Sequence, residues 1–307
     1  MDIIKVPIGY LLDWIYGFVS NYGVALILFT LAVKLILLPL TLKQQKSMTK
    51  MQKLQPKLQA LQEKYKNDQQ MLSQETMKLY KEYGASPMGG CLPLLIQLPI
   101  LISLYRVIYE PLKYMCHFGA DKIADLAEKA GIALKGNMMA QIEVAQKLDI
   151  INFNFLGLNL ADKPELSLAA WATLLIPVLA AVTTYLSSKI TQWMNKNDNN
   201  KKKDEPQKPQ RVLSTEPKKN DNGAPSAEGM TKSMSVVMPI FTLWITYTLP
   251  MAMGLYWIAS NVFGILQTVL LNGFYANRFS TEIELHDSEK KSKQSEIHPN
   301  KKKRRNK

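Results

Sequence analysis

The chain has 307 residues, of which 47% are hydrophobic and 21% are charged, and its formal net charge is +13. A soluble protein could have this composition, but the apolar residues are concentrated in a few runs. Residues 236–272 contain no Asp, Glu, Lys or Arg over 37 positions, far more than a helix in a soluble core needs. Three more apolar runs, at residues 24–42, 91–109 and 168–188, are each about long enough to cross a bilayer. These runs exclude a soluble two-domain enzyme.

The longest apolar run is too long for one transmembrane helix. A helix of 37 residues would be about 55 Å long, whereas the hydrocarbon core is roughly 30 Å thick. Pro250 and Gly254 mark a reversal, since proline ends a helix and glycine tolerates a tight turn. The predicted fold class is therefore an all-α polytopic membrane protein with five transmembrane helices. They lie at residues 23–42, 91–112, 168–188, 234–249 and 253–273.

The basic residues predict the orientation of these helices, because Lys and Arg beside the membrane are retained on the cytoplasmic side. Of the 38 Lys and Arg residues, 29 fall in residues 43–90, 189–233 and 274–307. The amino terminus is therefore predicted outside, the carboxyl terminus in the cytoplasm, and residues 113–167 in an extracytoplasmic loop. The net charge reflects this topology rather than a nucleic-acid partner.

Residues 1–22 are predicted to form an amphipathic helix on the outer surface of the membrane. Trp14 and Tyr16 have rings that suit the headgroup layer. The alternative is a simple extension of the first span, but residues 21–23 indicate a break. We expect no cleaved signal peptide, because a basic cluster and an Ala-x-Ala site are both missing. The apolar side chains at helical spacing are Ile4, Ile8, Leu11, Leu12, Ile15 and Val19.

The first cytoplasmic segment, residues 43–90, is predicted to contain a helical hairpin. Apolar residues recur at intervals of three and four on both sides of a polar break at residues 66–70, which indicates two amphipathic helices packed antiparallel. Pro56 is expected to kink the first of them. The alternative, a charged tether, would not keep this periodicity over so many turns. The stripe comprises Met51, Leu54, Leu58, Leu61, Tyr65, Leu72, Thr76, Leu79 and Tyr83.

Two other cytoplasmic segments have the composition of disordered chain. Residues 195–229, within the predicted cytoplasmic loop 189–233, are rich in Lys, Asn, Asp, Pro and Gln and nearly devoid of large apolar residues. The tail, residues 274–307, has a similar composition from Ser280 onward and ends in a basic cluster at residues 301–305. This cluster suits anionic lipid headgroups or ribosomal RNA. A solvated tail is the alternative.

No pattern of covalent or metal chemistry stands out in the sequence. Cys91 and Cys116 lie on opposite sides of the membrane in the predicted topology, which excludes an intramolecular disulfide. His117, His286 and His298 are isolated from one another. The motifs of zinc hydrolases, phosphate-binding loops and serine nucleophile elbows do not occur. The sequence therefore predicts no catalytic residue, no metal site, no cofactor and no enzymatic activity.

A positive charge lies near the middle of the first span. A lysine there, Lys34, costs roughly 2.5 to 3.5 kcal/mol on insertion scales, so it needs water or a partner. Thr30, Lys34 and Thr41 fall within about 40° of one another around a helix. No Asp or Glu lies well inside any predicted span, so we predict that Lys34 is hydrated in a polar groove. The alternative is that it snorkels to an interface.

Polar residues of the fifth span predict the other side of this groove. Trp257, Asn261, Gly264 and Thr268 share one helix face, and Ser260 and Gln267 lie beside it. Threonines that align on the third and fourth spans, Thr173, Thr184, Thr242 and Thr246, are each expected to serve local backbone bonding. The predicted polar lining comprises Thr30, Thr41, Gln97, Ser260, Asn261, Gln267 and Thr268.

Five blocks of this sequence resemble the YidC family of membrane protein insertases. They occur in the family's order and cover nearly the whole membrane region. The resemblance implies five spans around a groove that opens to the cytoplasm and to lipid but is closed outside, with a cytoplasmic helical hairpin and no energy-coupling site. The blocks are TLAVKLILLPLT at 30–41, KMQKLQP at 50–56, GGCLPLLIQLPI at 89–100, FLGLNL at 155–160 and PMAMGLYWIASN at 250–261.

The resemblance also assigns functional positions. An arginine typically occupies the position of Lys34 in this family. Lysine keeps the charge but lacks the planar five-donor fork of arginine, so a cationic groove is expected here without guanidinium-specific bonding. By the same matching, the residues that fall where the family contacts a passing substrate helix are Thr30, Leu98, Pro99 and Trp257.

The predicted function is that of an insertase and membrane chaperone in the bacterial plasma membrane. The polar tail of a nascent membrane protein would enter the groove, and its apolar segment would pass into lipid, without nucleotide hydrolysis. The predicted partners are nascent membrane proteins, the ribosome through the hairpin and the basic tail, the Sec translocon, and anionic lipids.

A small-solute or ion transporter or channel is the alternative function, because it would also put a charge in a polar cavity. The absence of an internal repeat and the large hairpin argue against it. An intramembrane protease would need a Ser/His pair, two Asp or a metal motif within the spans, and the sequence has none of these.

Overall fold

A computed structural model of the chain describes residues 2–85, 92–167, 171–200 and 227–271. Cys91, residues 201–226 of the predicted disordered loop, and the basic tail with His286 and His298 lie outside these ranges. The helices are α1 (Asp2–Val19), α2 (Tyr22–Ile36), α3 (Leu38–Lys53), α4 (Gln55–Lys64), α5 (Gln69–Glu82), α6 (Leu92–Tyr109), α7 (Pro111–Tyr114), α8 (Ala120–Ala130), α9 (Ala140–Lys147), α10 (Leu175–Asn200), α11 (Ala227–Thr248) and α12 (Met251–Leu271).

The remaining regular structure is a 3-10 turn at Trp171–Leu174 and two short strands, β1 (Asn154–Phe155) and β2 (Leu158–Asn159). The strands pair antiparallel, with Asn154 opposite Asn159 and Phe155 opposite Leu158.

The described helices form two compact units. The first comprises residues up to 39, 94–193 and the part of 203–266 that is described. The second comprises the described parts of 40–93, 194–202 and 267–307.

Two helices in the described ranges are long and apolar enough to cross a membrane, Trp171–Trp193 and Met251–Leu271. The bent pair Tyr22–Ile36 and Leu38–Gln45 makes a third crossing if it is one span. The apolar stretches Gln97–Tyr109 of α6 and Ser235–Thr248 of α11 are shorter. The helical membrane architecture is thus confirmed, whereas the count of five spans stays a prediction.

The core of the first unit lies where α1, α2 and α6 meet the residues that follow α6. Gly9 lets α1 approach α7 closely, because a Cβ at this position would overlap the main-chain carbonyl of Tyr114. The largest fully buried side chains in this core are Leu12, Tyr22, Leu26, Phe29, Leu104, Ile108, Leu112, Met115, Ile142, Leu160 and Met251.

Helix α1 differs from the predicted surface helix in what its apolar stripe contacts. The helix ends at Val19 and the next begins at Tyr22, so the chain breaks at residues 20–21, slightly before the predicted position at 21–23. Ile8, Leu12 and Ile15 are buried in the protein core, and the Tyr16 hydroxyl accepts a hydrogen bond from the Asn152 amide, 2.8 Å away. The exposed aromatic residues, Tyr10, Trp14 and Phe18, lie elsewhere on α1.

Residues 113–167, predicted only as a loop, contain the end of α7, the whole of α8 and α9, and the β-hairpin. Helix α8 buries Ile123, Ala127 and Ala130 and ends at Gly131, which has φ +64°. This left-handed conformation suits glycine at the end of a helix. The amphipathic spacing of these residues was a signal for α8 that the assignment to a loop overlooked.

The β-hairpin segment supplies carbonyls to the first turns of two long helices. The Tyr22 amide at the start of α2 donates to the Asn152 carbonyl (3.0 Å). At the start of α12, the Met251 amide donates to the Asp162 carbonyl (2.9 Å) and the Ala252 amide to the Leu160 carbonyl (3.0 Å). Since the first N–H groups of a helix have no partner within it, this segment caps both helices.

The second unit contains the two helices of the predicted hairpin, α4 and α5. The preceding helix breaks at Leu54, and Pro56 lies in the first turn of α4, so a break replaces the predicted kink. Leu54 and Leu58 are buried, and the Lys57 ammonium donates to the hydroxyl of Tyr83, the residue that follows α5. The predicted stripe residues that are half-buried include Leu61, Leu79 and Tyr83.

Helices extend into the segment that the composition predicted to be disordered. Helix α10 continues to Asn200, and α11 begins at Ala227. The prediction of disorder was therefore wrong for residues 195–200 and 227–229. The physical reason is that extending an existing helix by a residue costs far less than nucleating a new one, so a polar composition does not end a helix at the membrane boundary.

Candidate functional site

Lys34 lies in the last turn of α2, with its side chain half-buried. A Cβ placed on Gly264 of α12 would lie 3.9 Å from the Lys34 ammonium nitrogen, so the charge lies against a part of α12 without a side chain. Within the described residues, no carboxylate pairs with Lys34 and no hydrogen bond holds its ammonium group. This arrangement leaves room for water or a visiting acidic group at the charge.

Polar side chains of α12 in the first unit contact α6 and α10. The Gln97 side-chain amide of α6 donates to the Tyr256 hydroxyl, 2.6 Å away, and Ser260 hydrogen-bonds the same hydroxyl. The Asn261 amide donates to the hydroxyls of Thr183 (3.2 Å) and Thr184 (2.9 Å) on α10. These predicted lining residues therefore join three helices.

The second unit holds another pair of predicted lining residues. The Gln267 side-chain amide donates to the Thr41 hydroxyl at 2.6 Å, which links α12 to α3. Thr268, the next residue of α12, is half-buried.

Thr30 occupies a different environment from the other predicted residues. Its side chain is 1% exposed, and its hydroxyl donates to the Leu26 carbonyl one turn earlier at 2.7 Å. Thr242 and Thr246 on α11 bond their own helix in the same way, as predicted for them. In this conformation the Thr30 hydroxyl serves its own helix and is not presented to a groove.

The residues assigned to substrate contact fall on two helices of the first unit. Leu98 and Pro99 are exposed on α6, and Leu98 retains 42% of its surface. Trp257 is half-buried on α12. Leu98 and Pro99 thus offer apolar surface, whereas Trp257 offers only part of its ring.

Two polar residues of this site were missed by the sequence reasoning, Tyr256 and Thr183. Both lie next to residues that were named, Trp257 and Thr184. A helix projection predicts the face on which a residue lies, but it does not show that Asn261 reaches two adjacent hydroxyls. Thr173, for which local bonding was predicted, lies in the 3-10 turn Trp171–Leu174, and its hydroxyl accepts a hydrogen bond from the Glu165 amide at 3.0 Å.

In the described parts of the chain, no three His, Cys, Asp or Glu side chains gather as metal ligands would.

Comparison with protein families gives one match that covers most of the chain. The family described as 60Kd inner membrane protein matches residues 14–278. The membrane protein insertase YidC of Fusobacterium nucleatum is 30% identical over 266 residues, which is 87% of this chain and 93% of that protein. The YidC insertase of Caldanaerobacter subterraneus is 31% identical over 268 residues, with the same coverage.

A shorter but closer match and a solved structure add to these findings. The YidC insertase of Wolinella succinogenes is 45% identical over 117 residues, 38% of this chain and 21% of that protein. A crystal structure of an active YidC insertase, with its first transmembrane domain resolved, gives a TM-score of 0.51 at 24% identity. This chain is covered to 87% and spans 46% of that longer one, so the likeness shows the fold. From the family match and the relatives together, the chain belongs to the YidC family of membrane protein insertases.

Proposed function

We propose that this protein is a membrane protein insertase and chaperone that works without nucleotide hydrolysis. The polar tail of a nascent membrane protein passes through a cationic groove, and its hydrophobic segment then enters the bilayer. The observation that carries the proposal is Lys34, a half-buried cation beside Gly264 that no described carboxylate neutralises. A structural lysine within a membrane span would be expected to pair with another group.

The proposed topology has five spans, with the amino terminus outside and the carboxyl terminus in the cytoplasm of the plasma membrane. The helix Leu92–Tyr109 has 18 residues, or about 27 Å at 1.5 Å per residue, close to a hydrocarbon core of roughly 30 Å. The distribution of Lys and Arg supports the orientation.

In this mechanism, Lys34 acts on the polar part of the substrate. Two opposite unit charges 4 Å apart attract by about 1 kcal/mol in water and about 4 kcal/mol at an effective dielectric constant near 20. An acidic tail that enters the groove therefore recovers part of its desolvation cost. The free energy of the whole step comes from the roughly twenty apolar residues that leave water for lipid, so the protein lowers a barrier and needs no fuel.

The apolar segment of the substrate needs a surface on its way to lipid. Leu98 and Pro99, exposed on α6, are suited to contact it. The ribosome is a proposed partner through the cytoplasmic helical hairpin and the basic tail, and anionic lipids through the tail. The Sec translocon is a further proposed partner.

The test exchanges the charge at Lys34. Lys34→Arg should retain insertion, because a cation remains, and Lys34→Glu should impair it, most for substrates with acidic outer tails. Insertion is measured by protease protection of a single-span substrate in proteoliposomes. If Lys34→Glu inserted substrates with acidic outer tails as well as the wild-type chain does, the electrostatic role of Lys34 would be contradicted.

A residue-by-residue crosslinking scan against a stalled ribosome–nascent chain complex separates the insertase from a transporter. Crosslinks at Lys34, Leu98 and Trp257 support insertion. Protection of these positions by a small solute, without contact to the nascent chain, would favour the transporter.

A further inference from the structure

A strained turn joins the two strands of the β-hairpin. Leu156 has φ +51° and Gly157 has φ +82°, and the paired residues on either side are Phe155 and Leu158. Two consecutive positive φ angles in a two-residue connection define a type I′ turn, for which Asn-Gly is the favoured sequence. Glycine meets this demand, but leucine at the first position is a steric outlier.

The same leucine is also one of the most exposed apolar side chains in the described chain. Leu156 retains 87% of its surface. An asparagine would relieve the backbone strain and would be more soluble, so leucine is unfavourable at this position on both grounds if water surrounds it. Both penalties would be offset if the side chain lay in a nonpolar medium.

The surroundings of the turn show where such a medium lies. The Asn21 side-chain amide donates to the Asn154 carbonyl at 2.7 Å, and the ring of Phe155 occupies the space in which Gly23 would carry a Cβ. The turn therefore follows directly on residues held against the first turn of α2. The exposed apolar surface of α2 begins at the next residue, Val24, and continues at Leu28.

The hairpin segment is also fixed to the start of a second apolar helix. Main-chain bonds from Met251 and Ala252 to the segment after β2 hold it against α12, which is long and apolar enough to cross the bilayer. Two candidate spans thus begin at this one segment. A turn fixed to the ends of two spans lies at the boundary between headgroups and acyl chains.

We propose that Leu156 is a membrane anchor whose side chain inserts between the acyl chains of the outer leaflet. The segment 152–162 then fixes three things at one depth, namely the start of α2, the start of α12 and the bilayer surface. The assignment to the outer leaflet rests on the orientation in the proposed function, whereas the contact with acyl chains rests on the geometry of the turn.

Collisional quenching of a fluorophore tests the contact. A single cysteine is introduced as Leu156→Cys in the full-length chain with Cys91 and Cys116 replaced, labelled with a small fluorophore and reconstituted in proteoliposomes. Nitroxides on the lipid acyl chains should quench this label several-fold more strongly than a label at Glu128→Cys, an exposed position on α8. Aqueous iodide should show the reverse order. Equal quenching of both labels by iodide would overturn the anchor.

A second measurement uses the turn itself and needs no label. If Leu156 lay in water, Leu156→Asn should raise the melting temperature in proteoliposomes, because it supplies the favoured turn residue. The anchor predicts instead a melting temperature that is unchanged or lower by about 2–4 °C, with Leu156→Met close to the wild type. A raised melting temperature for Leu156→Asn would overturn the proposal.

The orientation is tested separately, so that the two failures can be told apart. An impermeant maleimide added outside intact cells should react with Glu128→Cys. Without that reaction, the outer-leaflet assignment and the orientation in the proposed function both fail. With normal reaction and no acyl-chain quenching at position 156, the anchor alone fails.

Discussion

At the scale of single residues, the sequence predicts the face on which a polar side chain lies better than it predicts the partner of that side chain. Lys34 has no carboxylate partner among the described residues, and its place in a groove stays a prediction. Gln97 and Asn261 were expected to line a groove, yet their amide groups donate to Tyr256 and to the hydroxyls of α10. Helical periodicity predicts the face of a helix, but partners depend on distances between helices, which one sequence does not contain.

The close contact between Gly23 and the Phe155 ring gives a prediction for a single residue. Gly23→Ala should lower the stability of the protein by about 1–3 kcal/mol, because its methyl group would overlap the Phe155 ring. Phe155→Ala in the same chain should recover part of this loss. The measurement is thermal unfolding in detergent.

Gly17→Ala is the matched control for this prediction. Gly17 lies within α1 and has no atom within 4 Å of the position where its Cβ would be. Alanine there should be neutral or stabilise by up to about 1 kcal/mol, since it is the better helix former. Equal melting temperatures for Gly23→Ala and Gly17→Ala would show that the hairpin yields without cost.

At the scale of elements, periodicity predicted the hairpin helices but missed the fold of residues 113–167. Leu54 and Leu58 followed a clear three-and-four spacing and are buried. The β-hairpin lacked the Asn-Gly signature by which such turns are recognised, because Leu156 stands in the asparagine position. With leucine in this position, the turn has no local sequence signal that predicts a β-hairpin.

The cytoplasmic helical hairpin, α4 and α5, gives the prediction at this scale. Leu58→Asp places a carboxylate at a side chain that is only 6% exposed, which should unfold the hairpin because an unpaired buried charge is costly. Complementation of a depletion strain should then fail, as it should after deletion of residues 50–83, although the spans still insert in the membrane. Met77→Asp, on an exposed position of α5, should complement normally. Normal complementation by the deletion would reduce the hairpin to a tether.

At the scale of the whole molecule, hydropathy predicts the helical membrane architecture more securely than it predicts the number of spans. Apolar runs predicted a helical membrane protein, and the family match agrees with that architecture. The count of five spans depends on α6 and α11, whose apolar stretches Gln97–Tyr109 and Ser235–Thr248 are short. Neighbouring helices and the local bilayer decide whether such helices cross, and neither is written in the composition of the helix itself.

The basic tail gives the prediction for the whole molecule. Removing residues 296–307 deletes six basic residues, which should weaken co-sedimentation with ribosomes at low salt. Each lost phosphate contact should also make the slope of log affinity against log salt shallower by about 0.7–0.9, because fewer counterions are released on binding. Insertion of a released, purified substrate should change little, since we propose that this step depends on Lys34 and the spans. A chain of equal length with glutamine at these six positions separates charge from length and should match the truncation. Unchanged affinity and salt slope in both variants would make the tail a solvated end whose charges only reinforce the topology.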